Sequence, residues 1–244
     1  MEKPFLLVVV AGVIGCGGGT SNTTMTTPPD MADTSIVGQH GQVVDYFNLT
    51  PLAGFTVTDG NNTTTTGADG TFLLPAPMGT VLAPVVTGPS YSTLTLAKAQ
   101  ATATDVDLGP IVIPSSATYS TELSILGADT TKALVQIVII PTGACTSVAG
   151  GSLTVTNPAN ASVAYFSPSG FPVATQFYDT MDHRPVAVVF NIEPGSELEV
   201  EMSHPTCKLS PKGTAYNGAV YDGVAQTVAA EPGDHNGVLV LLAE

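Results

Sequence analysis

The sequence has no tryptophan, and only 6 of its 244 residues are lysine or arginine, against 20 aspartate and glutamate. Binding to nucleic acid requires clustered cations that displace counterions from phosphate. A net charge of −14 therefore excludes nucleic acid as a partner. Charged residues make up only 11% of the chain, where about a quarter is usual. That scarcity excludes a coiled coil and a charged disordered tail. Cysteine occurs only at positions 16, 145 and 207, with no Cys-x-x-Cys pair and no zinc-ligand spacing. A dithiol redox centre and a structural zinc are excluded with it. His-Glu-x-x-His, the Walker A loop and G-x-G-x-x-G are all missing. The third residue after each of the four histidines is Val43, Val186, Cys207 or Val238, so no His-x-x-Glu zinc motif exists either. Gly88-Pro89-Ser90-Tyr91-Ser92 lacks the last glycine of a nucleophile elbow, and the chain has no alternation of strands and helices to carry one. The expectation is a protein without cofactor, metal or catalytic residue.

What the sequence does hold is 43% hydrophobic residues, 25 glycines and 19 prolines. With its many threonines, this mixture calls for short strands joined by tight turns. The expected class is all-β: two antiparallel β-sandwich domains after a signal peptide and a flexible tether.

The first 14 residues carry an apolar run from Phe5 to Ile14. It is too short to span a bilayer, which takes about 20 residues, but has the length of a signal-peptide core. It ends in Val13-Ile14-Gly15-Cys16, which resembles the bacterial lipobox. The resemblance implies cleavage after residue 15, acylation of Cys16 and anchoring in a membrane, since several acyl chains together hold stably where one does not. An ordinary secretory signal that happens to end near a cysteine is the other reading. Gly17 follows the cysteine where an aspartate would imply inner-membrane retention. The resemblance therefore implies the outer membrane of a Gram-negative bacterium, on its periplasmic or outer side. Residues 16–35 run through Gly17-Gly18-Gly19-Thr20-Ser21 to Pro28-Pro29-Asp30, a solvated tether. With Cys16 acylated, Cys145 and Cys207 remain as an even pair in an oxidising compartment, which favours a disulfide over two buried thiols.

Residues 36–113 carry an ordered set of turn and strand signals: Gly41/Val43/Asp45, Pro51/Leu52/Gly54/Val57, Thr66/Asp69/Gly70/Phe72, Pro77/Gly79, Gly88/Tyr91 and Val106/Leu108/Gly109/Ile111/Ile113. In order and spacing these resemble the carboxypeptidase regulatory-like domain, a transthyretin-like β-sandwich. The resemblance implies that Tyr91 is a core aromatic. Gly70 is expected to supply a positive φ and Asp69 a local side-chain hydrogen bond. Pro84 places an edge or a bulge in the strand expected over 81–86. Residues 114–120 read as a linker. Residues 114–244 read as a second β-sandwich, either a diverged repeat of the first or an unrelated one, closed by the disulfide. Within it, Leu134–Ile140 is either a strand buried on both faces or a short buried helix, and its β-branched residues favour the strand.

Polar candidates are few. Asp182-His183 and Asp234-His235 are adjacent pairs, and neighbours on a strand point to opposite faces. They read as turn residues. Asp59, Asn61, Asn62 and Asp69 are either calcium-type oxygens or solvated turns, and without EF-hand spacing the turns are preferred. Tyr216, Asn217, Tyr221 and Asp222 lie in a glycine-containing segment and are the ligand-binding candidates for a polysaccharide. The functional expectation is a lipid-anchored, non-enzymatic envelope module that docks to a protein. Carbohydrate binding is the alternative.

Overall fold

The computed structural model describes residues 36–100, 105–157, 160–167, 172–173, 175–178, 186–196, 198–214, 220–221 and 235–244. Before residue 114 the strands are β1 (Ile36–Asp45), β2 (Thr56–Thr58), β3 (Thr63–Thr65), β4 (Thr71–Pro77), β5 (Val81–Leu82), β6 (Val85–Thr87), β7 (Thr93–Leu96), β8 (Ala99–Gln100) and β9 (Val106–Ile113). A helix, α1 (Ser116–Leu126), follows. After it come β10 (Ala133–Pro141), β11 (Ser152–Asn157), β12 (Ser162–Phe166), β13 (Pro172–Val173), β14 (Val186–Ile192), β15 (Glu199–Ser203), β16 (Leu209–Thr214), β17 (Val220–Tyr221) and β18 (His235–Ala243). The described residues are mostly β, as the composition requires.

One long sheet is the middle layer, in the order β13-β12-β14-β10-β18-β7-β6-β2-β3, with β16 and β17 joined beside β18. It takes strands from both sides of residue 114: β7 lies parallel to β18, with Leu94 opposite Asn236 and Leu96 opposite Val238. The halves thus meet through main-chain hydrogen bonds. β10 is a strand, paired with β14 on one side and with β18 on the other. Its alternate residues serve two cores. Val138 and Ile140 face the layer containing Val43, Phe72 and Ile111. Val135, Ile137 and Ile139 face the layer with Cys145, Leu153, Leu198 and Cys207. Burial on both faces explains the near-continuous apolar run. The sheets are mixed: β1–β9, β10–β18 and β7–β18 are parallel pairs, where antiparallel pairing was expected throughout.

A three-stranded sheet, β4-β1-β9, closes the first core. The two-stranded sheet β11-β15 lies over the second, where the Cys145–Cys207 disulfide is also buried, its Cα atoms 5.2 Å apart. The stretch expected to be a linker instead starts a helix. Ser115 caps it by accepting from the Thr118 N–H (3.2 Å), and Gly127 ends it at φ +62°. Tyr119 and Leu123 pack on Leu134 and Val188 of the long sheet, so α1 buries a face that a linker would leave open.

The turn expectations hold. Gly70 has φ +74°, and an added Cβ would lie 2.6 Å from the Val43 carbonyl oxygen. Asp69 Oδ1 accepts from the Thr71 N–H (3.1 Å) and hydroxyl (2.7 Å). The strand expected over 81–86 is instead broken at Pro84 into β5 and β6, which belong to different sheets, because Pro84 has no N–H to carry a ladder through. Tyr91 packs against the first core edge-to-face with Phe55, ring centroids 5.2 Å apart.

Two amides inside the sandwich, Gln39 and Asn236, are fully buried, and none of their side-chain polar atoms meets a protein partner. An orphaned buried polar group costs about 1–3 kcal/mol. Gln39→Leu is therefore expected to raise the midpoint of urea unfolding. An unchanged or lower midpoint would show that the amide is satisfied in solution.

Candidate functional site: the outer face of the three-stranded sheet

Register builds this face. On β1, the side chains of Val37, Gln39 and Val43 point inward, so Ile36, Gly38, His40 and Gln42 point out. Antiparallel pairing sets Ile36 opposite Pro77, Gly38 opposite Pro75, His40 opposite Leu73 and Gln42 opposite Thr71. Parallel pairing with β9 sets Asp107 beside His40 and Pro110 beside Gln42. Two rows thus cross all three strands, Leu73–His40–Asp107 and Thr71–Gln42–Pro110.

Between these rows β9 spends three residues where β1 spends two, a β-bulge. Asp107-Leu108-Gly109-Pro110 dictates it. Asp107 Oδ1 accepts from the Gly109 N–H (2.8 Å), Gly109 takes φ +66°, and Pro110 has no N–H for the ladder. The bulge opens a shallow groove of about 390 Å³, lined by His40, Gln42, Thr71, Phe72, Asp107 and Pro110, among others. Gly41 falls in the inward-pointing set, and a Cβ there would crowd the bulge from the core side, 2.9 Å from the Gly109 carbonyl oxygen and 3.3 Å from the Phe72 ring. His40 Nδ1 lies 3.6 Å from Asp107 Oδ1, both side chains exposed. Gln42 Nε2 donates to the Asp69 carbonyl (2.8 Å), which fixes the amide at the groove's edge.

The rest of the face is mostly apolar and thinly covered, apart from exposed Asp105, whose Oδ1 accepts from the Gly38 N–H (2.7 Å). Leu73 is 52% exposed and leans over Gly38, its Cδ1 only 2.5 Å from where a Cβ would stand. Pro75 and Pro77 are exposed on β4, an edge strand of this sheet. Prolines on an edge discourage further strand pairing, so this surface presents side chains and not a hydrogen-bonding edge.

A second polar cluster lies where β1 ends. The Tyr91 hydroxyl donates to Asp45 Oδ2 (2.8 Å), and Asp45 Oδ1 accepts from the Phe47 N–H (2.9 Å). Burial, followed by the hydrogen bond to Asp45 and its charge, pushes the Tyr91 hydroxyl upward. The next residue, Tyr46, pairs with Glu122 of α1. Burial raises that carboxyl to about 7, although the Tyr46 hydrogen bond opposes the rise. Burial and the Glu122 charge raise the Tyr46 hydroxyl in turn. This pair fastens α1 to the end of β1.

Of the residues expected to bind ligand, Tyr216, Asn217 and Asp222 lie outside the described residues, as does Cys16. Tyr221 stands opposite Gly213 in the β16–β17 pair. Asp59 is committed to its own turn, accepting from the Asn61 N–H (2.8 Å) and the Asn62 N–H (2.6 Å). Among the described residues no three metal-ligating side chains cluster, and no helix is long and apolar enough to cross a membrane. The groove was missed in the sequence. Its one signal was Asp-Leu-Gly-Pro, which breaks the alternation of β9.

No family model and no curated protein matches the chain. Solved structures aligned with it include the major pilin of Streptococcus pyogenes, at 13% identity over 87% of this chain and 99% of that one, with a TM-score of 0.26. The shaft pilin SpaA of Lactobacillus rhamnosus GG aligns at 11% identity over 86% and 98%, with a TM-score of 0.23. A carbohydrate-binding module of family CBM26 from Eubacterium rectale Amy13K, solved with maltoheptaose, aligns at 11% identity over 84% and 96%, with a TM-score of 0.28. Scores this low carry no inference about what this chain does.

Proposed function

We propose that this is a lipid-anchored, non-enzymatic cell-envelope protein whose outer sheet face, β4-β1-β9, docks to an envelope protein. One observation carries the reading: a sheet face on which a row runs from exposed Leu73 to the His40–Asp107 pair, beside rows that begin at the exposed prolines of β4 and cross β1 at Gly38 and Ile36. An apolar strip bordered by a few fixed polar groups is the usual make-up of a protein contact. The anchor rests on Cys16 and the segment before it. The groove at the bulge favours a second reading, since Gln42, His40 and Asp107 supply donors and acceptors of the kind that hold a sugar hydroxyl.

The test uses the full chain with Cys16→Ser, which removes the acylation site and so any retention by lipid alone. Its retention on isolated cell envelope is expected to fall about tenfold with Leu73→Asp, the effect of burying a charge in a contact. Equal retention of both chains would remove this face from the account. A loss matched by His40→Ala, and reversed by free oligosaccharide, would favour the sugar reading.

A further inference from the structure

The end of the body where β1 begins differs from the other end. Ile36, the first described residue, is 71% exposed and pairs with Pro77. Pro77 opens a tight turn, closed by the Thr80 N–H on its carbonyl (3.1 Å), which displays Met78 at 53% exposure and leads to Val81 at 50%. Three large apolar side chains thus surround one corner, beneath which Val37, Ala76 and Leu82 form a small core of their own. At the far end of β1 stand Asp45, Tyr46 and Glu122. Nine residues of strand separate the two ends, about 30 Å.

The apolar corner is also where the preceding chain enters. Residues 16–35 join it to Cys16. Twenty residues of chain reach at most about 70 Å from their attachment point, whatever their conformation. A body tethered so closely samples the bilayer surface at high effective concentration, and a weak apolar contact is then enough to orient it. A net charge of −14 disfavours anionic lipid, which leaves a zwitterionic surface as the occupant.

We propose that the corner formed by Ile36, Met78 and Val81 seats on the surface of the membrane that holds Cys16, so that the sandwich stands with β1 running away from the bilayer. This rests on the lipid-anchored reading above. It places the Leu73–His40–Asp107 row on the side of the standing body, open to a neighbour in the same membrane.

The absence of tryptophan makes the test direct. Full-length acylated protein is prepared with Met78→Trp, or with Ile125→Trp on α1, where Ile125 is 49% exposed, and added to phosphatidylcholine vesicles containing brominated lipid. Flotation with the vesicles reports the anchor, and tryptophan quenching reports the contact. The expected result is flotation of both chains, with Met78→Trp quenched about threefold more strongly than Ile125→Trp, since bromine quenches only at bilayer depth. Flotation with equal, weak quenching would overturn the seating and leave the anchor intact. Failure to float would overturn both. Emission of Met78→Trp that shifts to the blue with protein concentration, in the Cys16→Ser chain without lipid, would assign the corner to a second copy and overturn the seating.

Discussion

Replacing Cys145 and Cys207 together by serine is expected to lower stability by about 4 kcal/mol, most of the margin of a typical domain. The disulfide closes a loop of 62 residues. In the chain-entropy treatment, a loop of that length restricts the unfolded ensemble by this amount. Both half-cystines lie inside the second core, among Val148, Leu153 and Leu198. The loop they close contains β11, β12, β13, β14 and all of β15, and so both strands of the small sheet over that face of the long sheet. Urea unfolding of the oxidised protein and of the double variant measures the difference. A change under 1 kcal/mol would mean that the sheet holds this layer without the bond.

Glu122 gives the second large effect, a dependence on pH. Its carboxyl, near 4.5 when solvated, rises to about 7 because α1 and the end of β1 remove it from water. A folded-state value above the unfolded one means that the native protein holds the proton more tightly. The contribution is complete below pH 4.5, falls as pH rises through 7, and is gone above it. A rise from 4.5 to about 7 corresponds to roughly 3 kcal/mol across that window. Glu122→Gln keeps a group that accepts from Tyr46 and carries no charge. It is expected to be the more stable protein at pH 8 and to match the parent near pH 4.5, with the slope between them removed. Parallel profiles for the two proteins would show that Glu122 titrates normally.

The β class, β10, the turns at Gly70 and Pro84 and the disulfide were legible in the sequence because each depends on local chemistry: β-branching, a positive φ, a missing N–H, an even pair of cysteines. The helix was not. Its caps, Ser115 and Gly127, were present, but Ser116–Leu126 is rich in serine and threonine and has no clear apolar stripe, so composition pointed to a linker. Tertiary contact of Tyr119 and Leu123 with the long sheet decides the matter. Nor could periodicity reveal that β7 pairs with β18, since strands about 140 residues apart in sequence choose partners by the whole packing arrangement. The groove depends on register across three strands, β4, β1 and β9. Its residues, His40, Gln42, Thr71 and Asp107, belong to separate stretches of sequence, and only pairing brings them into rows.

The outer face of β4-β1-β9 is proposed to meet an envelope protein. The most direct measurement is retention of the full Cys16→Ser chain on isolated envelope before and after protease treatment of that envelope, with Leu73→Asp alongside. Retention that protease abolishes and Leu73→Asp weakens is the expected result. Retention that survives protease and is released by free oligosaccharide would contradict it, and would make the groove beside His40 and Asp107 a sugar site instead.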